Sequence, residues 1–125
     1  MSDNLYFKSD KFDSSKSLAL FIHESLIKQG LSPSSPEDED YMFTINAVFG
    51  EAIITFYMGK NDEDSTPPLW QIWPQQNISF FKRIFAKVDK NPEVEAKKIL
   101  EKVINEINGV SDVEWGIKQV AQVRS

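Results

Sequence analysis

Cysteine is absent from this chain of 125 residues, which excludes disulfide frameworks, thiol nucleophiles and cysteine-based zinc sites. With five glycines and one histidine, it has no phosphate-binding glycine loop, hydrolase elbow or histidine-containing metal spacing. No run of 18 apolar residues exists, and the N-terminus lacks the pattern of a signal peptide. The length predicts a single domain over residues 1–125. Because these features are missing, we expect a protein of the reducing cytoplasm that binds no cofactor and does not associate with membranes.

Positive charge is also scarce. The net charge of −5 at pH 7 argues against general nucleic-acid binding, which needs cations to replace the counterions of phosphate. Residues 1–65 carry 12 acidic and 5 basic side chains, whereas residues 66–125 carry 7 and 9. This uneven distribution can orient a charged partner.

Two amphipathic helices are predicted. Ser14 or Ser15 caps the first, over roughly residues 16–29, and its apolar residues recur at helical spacing. Asn91 caps the second, over residues 92–108, which has proline at its first position and glycine after its end. Each helix has one apolar stripe and therefore needs a sheet face to cover.

Alternating and β-branched segments predict the strands of that sheet. A hairpin over residues 41–58 turns at residues 49–51, and shorter strands are expected at 5–12, 69–73 (stopped by Pro74) and 113–118. The segment 77–90 fits either a short helix or an irregular loop. The expected fold is an α+β two-layer sandwich with a mainly antiparallel sheet of four to five strands, in the order β-α-β-β-β-(α)-α-β.

Two acidic clusters flank the predicted hairpin. One lies in a loop rich in proline and serine before the first strand, and the other follows the second strand. Because a hairpin brings its two ends together, both clusters are expected at the same end of the sheet. We call this set of seven carboxylates the acidic rim: Glu37, Asp38, Glu39, Asp40, Asp62, Glu63 and Asp64.

Neither metal binding nor catalysis is predicted. A calcium loop starting at Asn61 would need glycine at its sixth position and glutamate at its twelfth, but Thr66 and Ile72 stand there. His23 has no nucleophile or orienting group near it in the sequence, so we expect it on the flank of the first helix.

An aromatic group that includes Trp70, Trp73, Phe80, Phe81 and Phe85 is interleaved with basic residues. Most of these side chains are expected to fill the core. Since Trp70 and Trp73 are three residues apart on one strand, they face opposite sides of the sheet. One of them therefore lies on the less protected face, where tryptophan is a suitable anchor for a protein partner.

A small, acidic, cysteine-free α+β chain with acids in loops and an exposed aromatic resembles the small bacterial immunity proteins of contact-dependent growth inhibition. The resemblance implies a binding protein, not an enzyme, that neutralises a cognate toxin domain, often a basic nuclease, by covering its active site. The acidic rim would imitate phosphates and speed encounter, with Trp70 or Trp73 as the apolar anchor. A monomer is favoured.

Two other functions remain open at this stage. A type III secretion chaperone is also small, acidic and α+β; the helix 92–108 would form its dimer interface while its sheet binds an effector segment. A small enzyme would need a pocket around a buried carboxylate such as Glu51 or Glu114.

Overall fold

A computed structural model describes residues 4–77 and 90–116. Over these residues it contains six strands and two helices, labelled here in chain order. They are β1 (Asn4–Lys8), α1 (Ser15–Lys28), β2 (Glu37–Asp38), β3 (Phe43–Phe49), β4 (Ala52–Lys60), β5 (Leu69–Asn77), α2 (Asn91–Asn105) and β6 (Ser111–Gly116). The ambiguous segment 77–90, with Phe80, Phe81 and Phe85, lies outside the described residues except at its two ends.

The six strands form one antiparallel sheet in the order β2-β3-β4-β5-β1-β6. Helices α1 and α2 pack against one face, which we call the inner face, and the other is the outer face. The predicted α+β class is confirmed. The strand count exceeds the expected four to five because part of the first acidic cluster is not a loop: Glu37 pairs with Thr44, and Asp38 pairs with Phe43.

The predicted hairpin is confirmed as β3 and β4. Phe49 pairs with Ala52 across a turn whose Gly50 has φ +65°, a conformation that glycine adopts without the steric cost of a Cβ atom. Alternate residues then point inward on both strands. Ile45 and Phe56 are paired on the inner face and fully buried.

Pro74 was expected to end the strand predicted at residues 69–73, but the corresponding strand, β5, continues through Pro74 to Asn77. The backbone N–H of Asn61 donates to the carbonyl oxygen of Leu69, so the odd-numbered residues of β5 direct their polar groups toward β4. Pro74 is even-numbered and faces Phe56 at a position without hydrogen bonds. Its missing N–H therefore costs the β4–β5 ladder nothing.

The predicted start of α1 is confirmed, and the predicted start of α2 is wrong. Ser14 caps α1, since its Oγ accepts from the N–H of Ser17 at 3.1 Å while the Ser17 Oγ accepts from the N–H of Ser14 at 3.2 Å. In α2 the cap is Lys90 and not Asn91, because the N–H of Glu93 already donates to the Lys90 carbonyl oxygen at 3.1 Å. The helix also ends earlier than expected, at Asn105.

The core lies between the helices and the inner face. Trp70 is its largest fully buried side chain and meets Phe12 edge to face, with ring centroids 5.8 Å apart. Phe12 was predicted to end the first strand, but β1 stops at Lys8 so that Phe12 can turn into the core and contact Phe21. Neither described helix is both long enough and apolar enough to cross a bilayer.

Candidate functional site

The structure places both acidic clusters at one end of the sheet, where the β3–β4 hairpin is open. Phe43 pairs with Met58 there, so the chain entering β3 and the chain leaving β4 run side by side. A Cβ placed on Gly59 would lie 3.4 Å from the carbonyl oxygen of Tyr41, which shows how closely they approach. All seven carboxylate residues of the acidic rim are exposed.

The first cluster is held in a tight turn by its own side chains. The Asp38 Oδ1 accepts from the backbone N–H of Asp40 at 2.9 Å, and Asp40 has φ +72°. The N–H of Glu39 donates to the carbonyl oxygen of Met42 at 2.8 Å. Aspartate is one of the few residues that enter this left-handed region readily. The turn therefore projects its carboxylates outward from an ordered backbone.

Asn61 organises the second cluster. Its Oδ1 accepts from the backbone N–H of Glu63 at 2.7 Å, and its Nδ2 donates to the Oε1 of Gln71 at 2.6 Å. Asn61 itself is buried, although the three acids that follow it are exposed. The side chain thus fixes the point at which the loop leaves β4, while the acids stay in water.

Three further acids, which the sequence did not associate with the rim, reach the same end of the sheet. Asp10 and Asp13 lie between β1 and α1, and α1 begins beside β4, because the N–H of Lys60 donates to the Ser15 Oγ at 3.1 Å. Asp112 is the second residue of β6, and its Oδ2 lies 3.4 Å from the Lys8 Nζ. Among the described residues this end carries ten carboxylates against four lysines: Lys8, Lys11, Lys16 and Lys60.

An exposed aromatic residue that was not predicted as an anchor lies beside the acidic rim. Tyr41 directly follows the first cluster, and 90% of its surface is exposed. A tyrosine offers a large apolar ring with one polar group, a combination enriched at protein interfaces. The hairpin was predicted to begin at Tyr41, but β3 begins at Phe43 and leaves Tyr41 in the turn. The four acids directly before Tyr41 are the signal that could have identified it.

The two tryptophans face opposite sides of the sheet, as predicted. Trp70 is 1% exposed, and its Nε1 donates to the Ser9 carbonyl oxygen at 2.9 Å, so it is a core residue that cannot contact a partner. Trp73 lies on the outer face, half-buried, and stacks on Tyr57 with ring centroids 5.1 Å apart and planes 8° apart. Of the two proposed anchors, only Trp73 is accessible.

The outer face beside this stack is polar but uncharged. The Thr55 Oγ1 donates to the Oδ1 of Asn46 at 2.6 Å and accepts from the Nδ2 of Asn77 at 3.0 Å, which links β3, β4 and β5. Trp70 pairs with Lys60, which directly precedes the loop of the second acidic cluster. At about 3.4 Å per residue, Trp73 lies about 10 Å farther along β5 than Trp70. The aromatic stack therefore lies on the part of the outer face that adjoins the acidic rim.

The two carboxylates that the sequence offered as candidate catalytic groups are not buried. Glu51 and Glu114 are both exposed. His23 lies half-buried on α1. Across residues 4–77 and 90–116, no three histidine, aspartate or glutamate side chains are grouped so that they could hold a metal ion.

One cleft, of about 320 Å³, lies between α1 and the end of α2. It is lined by Lys11, Phe21 and Lys28 from one side and by Val103 and Glu106 from the other. Its serine, Ser25, donates its hydroxyl to the Phe21 carbonyl oxygen at 2.8 Å, as serines inside helices commonly do. The Ser25 hydroxyl is therefore engaged by the backbone of its own helix.

The apolar stripe of α2 is already used in the core. Ala96, Leu100 and Ile104 are fully buried against the sheet. A dimer interface of the chaperone type, formed by this stripe, would compete with the packing of the domain itself.

Comparisons of this chain with protein-family models, with curated proteins and with solved structures find no match.

Proposed function

We propose that this chain is an immunity-type binding protein that neutralises a basic toxin domain through the acidic rim. The observation that carries the proposal is the convergence of ten carboxylates from four separate chain segments at one end of the sheet. The resemblance of the whole chain to small acidic immunity proteins supplies the class of partner.

The charge of this end supports a fast encounter with a basic surface. A concentrated field of one sign steers an oppositely charged protein and raises its association rate, and added salt screens the effect. A nuclease must be basic around its active site to hold phosphates, so an array of carboxylates is complementary to the cleft that a nuclease inhibitor has to fill.

Two aromatic side chains offer the apolar contact area that the carboxylates lack. Tyr41 lies beside the acidic rim with 90% of its surface exposed, and Trp73 stacks on Tyr57 on the adjoining outer face. Buried aromatic side chains usually dominate the affinity of an interface, whereas charges at its edge mainly change the association rate. Tyr41 and Trp73 are therefore the proposed anchors.

The test begins with identification of the partner by pull-down from the native host, followed by association kinetics at increasing salt. A variant with all seven rim acids changed to Asn or Gln is expected to lose about tenfold or more in association rate. The control changes the six exposed acids that the structure describes away from this end, namely Glu24, Glu51, Glu95, Glu101, Glu106 and Glu114, and is expected to keep most of that rate.

Growth of cells that express the captured domain then tests neutralisation. The wild-type chain should restore growth, and Tyr41→Ala should weaken protection by accelerating dissociation. Association that is insensitive both to salt and to the seven rim changes would contradict the proposal. So would a captured partner that has no toxic activity.

A further inference from the structure

The last strand, β6, forms one border of the sheet. It pairs with β1 on one side, and no other described strand follows it in the sheet. A border strand whose polar backbone groups face solvent can accept an additional strand. Which residues of β6 present these groups follows from the hydrogen bonds of the neighbouring strands.

The hydrogen bonds of β1 fix the direction of each residue. The N–H of Ser9 donates to the carbonyl oxygen of Pro68, so odd-numbered residues of β1 face β5 and even-numbered residues face β6. Tyr6 pairs with Glu114, and Asn4 pairs with Gly116. Glu114 and Gly116 therefore direct their backbone groups toward β1.

It follows that Val113 and Trp115 direct their N–H and C=O groups away from the sheet. The free edge is short, because the register with β1 shifts between Tyr6 and Lys8 and Asp112 has φ +53° at that point. Such a bulge interrupts strand pairing. The edge available for addition is centred on residues 113–115.

The side chains on this edge determine which kind of strand can pair with it. Glu114 projects on the outer face, exposed, and Asp112 lies beside it in the bulge. A second copy of the chain paired through β6 would bring these acids close to the same acids of its partner, which is unfavourable. A lysine or arginine opposite Glu114 would instead form a cross-strand ion pair.

The inner side of the same edge is apolar. Val113 and Trp115 are half-buried there, and the Trp115 ring is held by its Nε1 donating to the Glu101 Oε2 at 3.2 Å and by the Lys97 Nζ at 5.8 Å from the ring centroid. A residue opposite either of them would place its side chain next to a fixed apolar surface.

We infer that the β6 edge is a strand-addition site for an extended segment of a partner protein in which apolar and basic residues alternate. The backbone groups of Val113 and Trp115 bond the added strand, Glu114 pairs with its basic residue, and Val113 and Trp115 contact its apolar residues. This site does not depend on the proposed toxin partner, because residues 113–115 of β6 do not belong to the acidic rim.

The probe is a capped nine-residue peptide that alternates lysine and valine, titrated into the ¹⁵N-labelled full chain. The amide signals of Val113 and Trp115 should shift and gain protection from solvent exchange more than that of Glu114, whose N–H already faces β1. A matched peptide that alternates glutamate and valine should bind about tenfold more weakly or not at all.

Val113→Pro removes one outward N–H without touching the β1–β6 ladder and should reduce lysine–valine peptide binding about tenfold. Val48→Pro is the matched control, because Val48 also points its N–H away from the sheet, on β3, and should leave binding unchanged. If Val113→Pro does not fold, the two peptides on the wild-type chain decide.

Equal binding of the two peptides, or no shift at residues 113 and 115, would overturn the inference. A dimer of the wild-type chain that dissociates in Val113→Pro would also overturn it, because a second copy would then occupy the edge.

Discussion

The Nε1 of Trp70 donates a hydrogen bond to the backbone carbonyl oxygen of Ser9 at 2.9 Å, between residues 61 positions apart in the chain. Both residues are 1% exposed. The bond joins the start of β5 to the end of β1 and fixes where the chain turns toward Asp10 and Asp13. A core contact thus determines the position of two carboxylates at the acidic end of the sheet.

Trp70→Phe should lower the free energy of unfolding by about 2–4 kcal/mol, because it leaves the Ser9 carbonyl oxygen buried without its donor and opens a cavity. Urea denaturation followed by circular dichroism measures this loss. Trp115→Phe is the control. Its indole bonds a carboxylate in an exposed setting, so a loss below about 1 kcal/mol is expected there. Equal losses at both sites would contradict the role assigned to the Ser9 contact.

The stack of Tyr57 on Trp73 should appear as a coupling energy. In a double-mutant cycle of Tyr57→Ala and Trp73→Ala, we expect the two losses of stability to be coupled by about 0.5–1.5 kcal/mol. The control cycle combines Trp73→Ala with Val48→Ala, also on the outer face but not adjacent in the register. Those changes should add within about 0.5 kcal/mol. A Tyr57–Trp73 cycle that is also additive would show that the stack contributes only burial.

Stability should decline at alkaline pH because of Tyr6. Burial raises the pKa of the Tyr6 hydroxyl above its ordinary value of 10.0. The unfolded chain therefore releases this proton at a lower pH than the folded chain does. The stabilising contribution is complete below pH 10.0 and is lost as pH rises from there through the folded pKa. Urea denaturation between neutral pH and pH 11 checks the decline, and Tyr6→Phe should reduce it. An identical decline in Tyr6→Phe would assign it to other groups.

The β3–β4 turn should depend on the backbone of Gly50. No neighbouring atom lies within 4 Å of a Cβ added there, so the cost of Gly50→Ala is conformational and should be about 1 kcal/mol of unfolding free energy. Gly50→Asn should cost less, since asparagine tolerates positive φ. Thermal denaturation of the two variants gives the comparison, and a larger loss for asparagine would refute the explanation.

Local patterns predicted the elements whose determinants are close in sequence. Ser14 caps α1 and Gly50 turns the hairpin, both as expected, because caps and turns depend on a few adjacent residues. The cap of α2 was misplaced by one residue. Its start is set by backbone bonds to Lys90 and not by a side chain that a sequence pattern reveals.

Pairing between distant segments could not be predicted in the same way. Glu37 and Asp38 gave no strand signal, and they are extended only because β3 offers them a border to pair with. Asp10, Asp13 and Asp112 join the acidic end through the placement of β1 and β6, which local periodicity does not encode. The sequence therefore revealed seven of the ten acids. It could not establish which tryptophan is accessible.

β1 occupies an interior place in the sheet although it precedes the other described strands in the chain. Its partners follow it by about 65 residues in β5 and by about 110 residues in β6, and such distant pairing slows folding. Until β6 has been synthesised, β1 forms the border of the described sheet in its place. The border strand during translation therefore differs from the border strand of the folded chain.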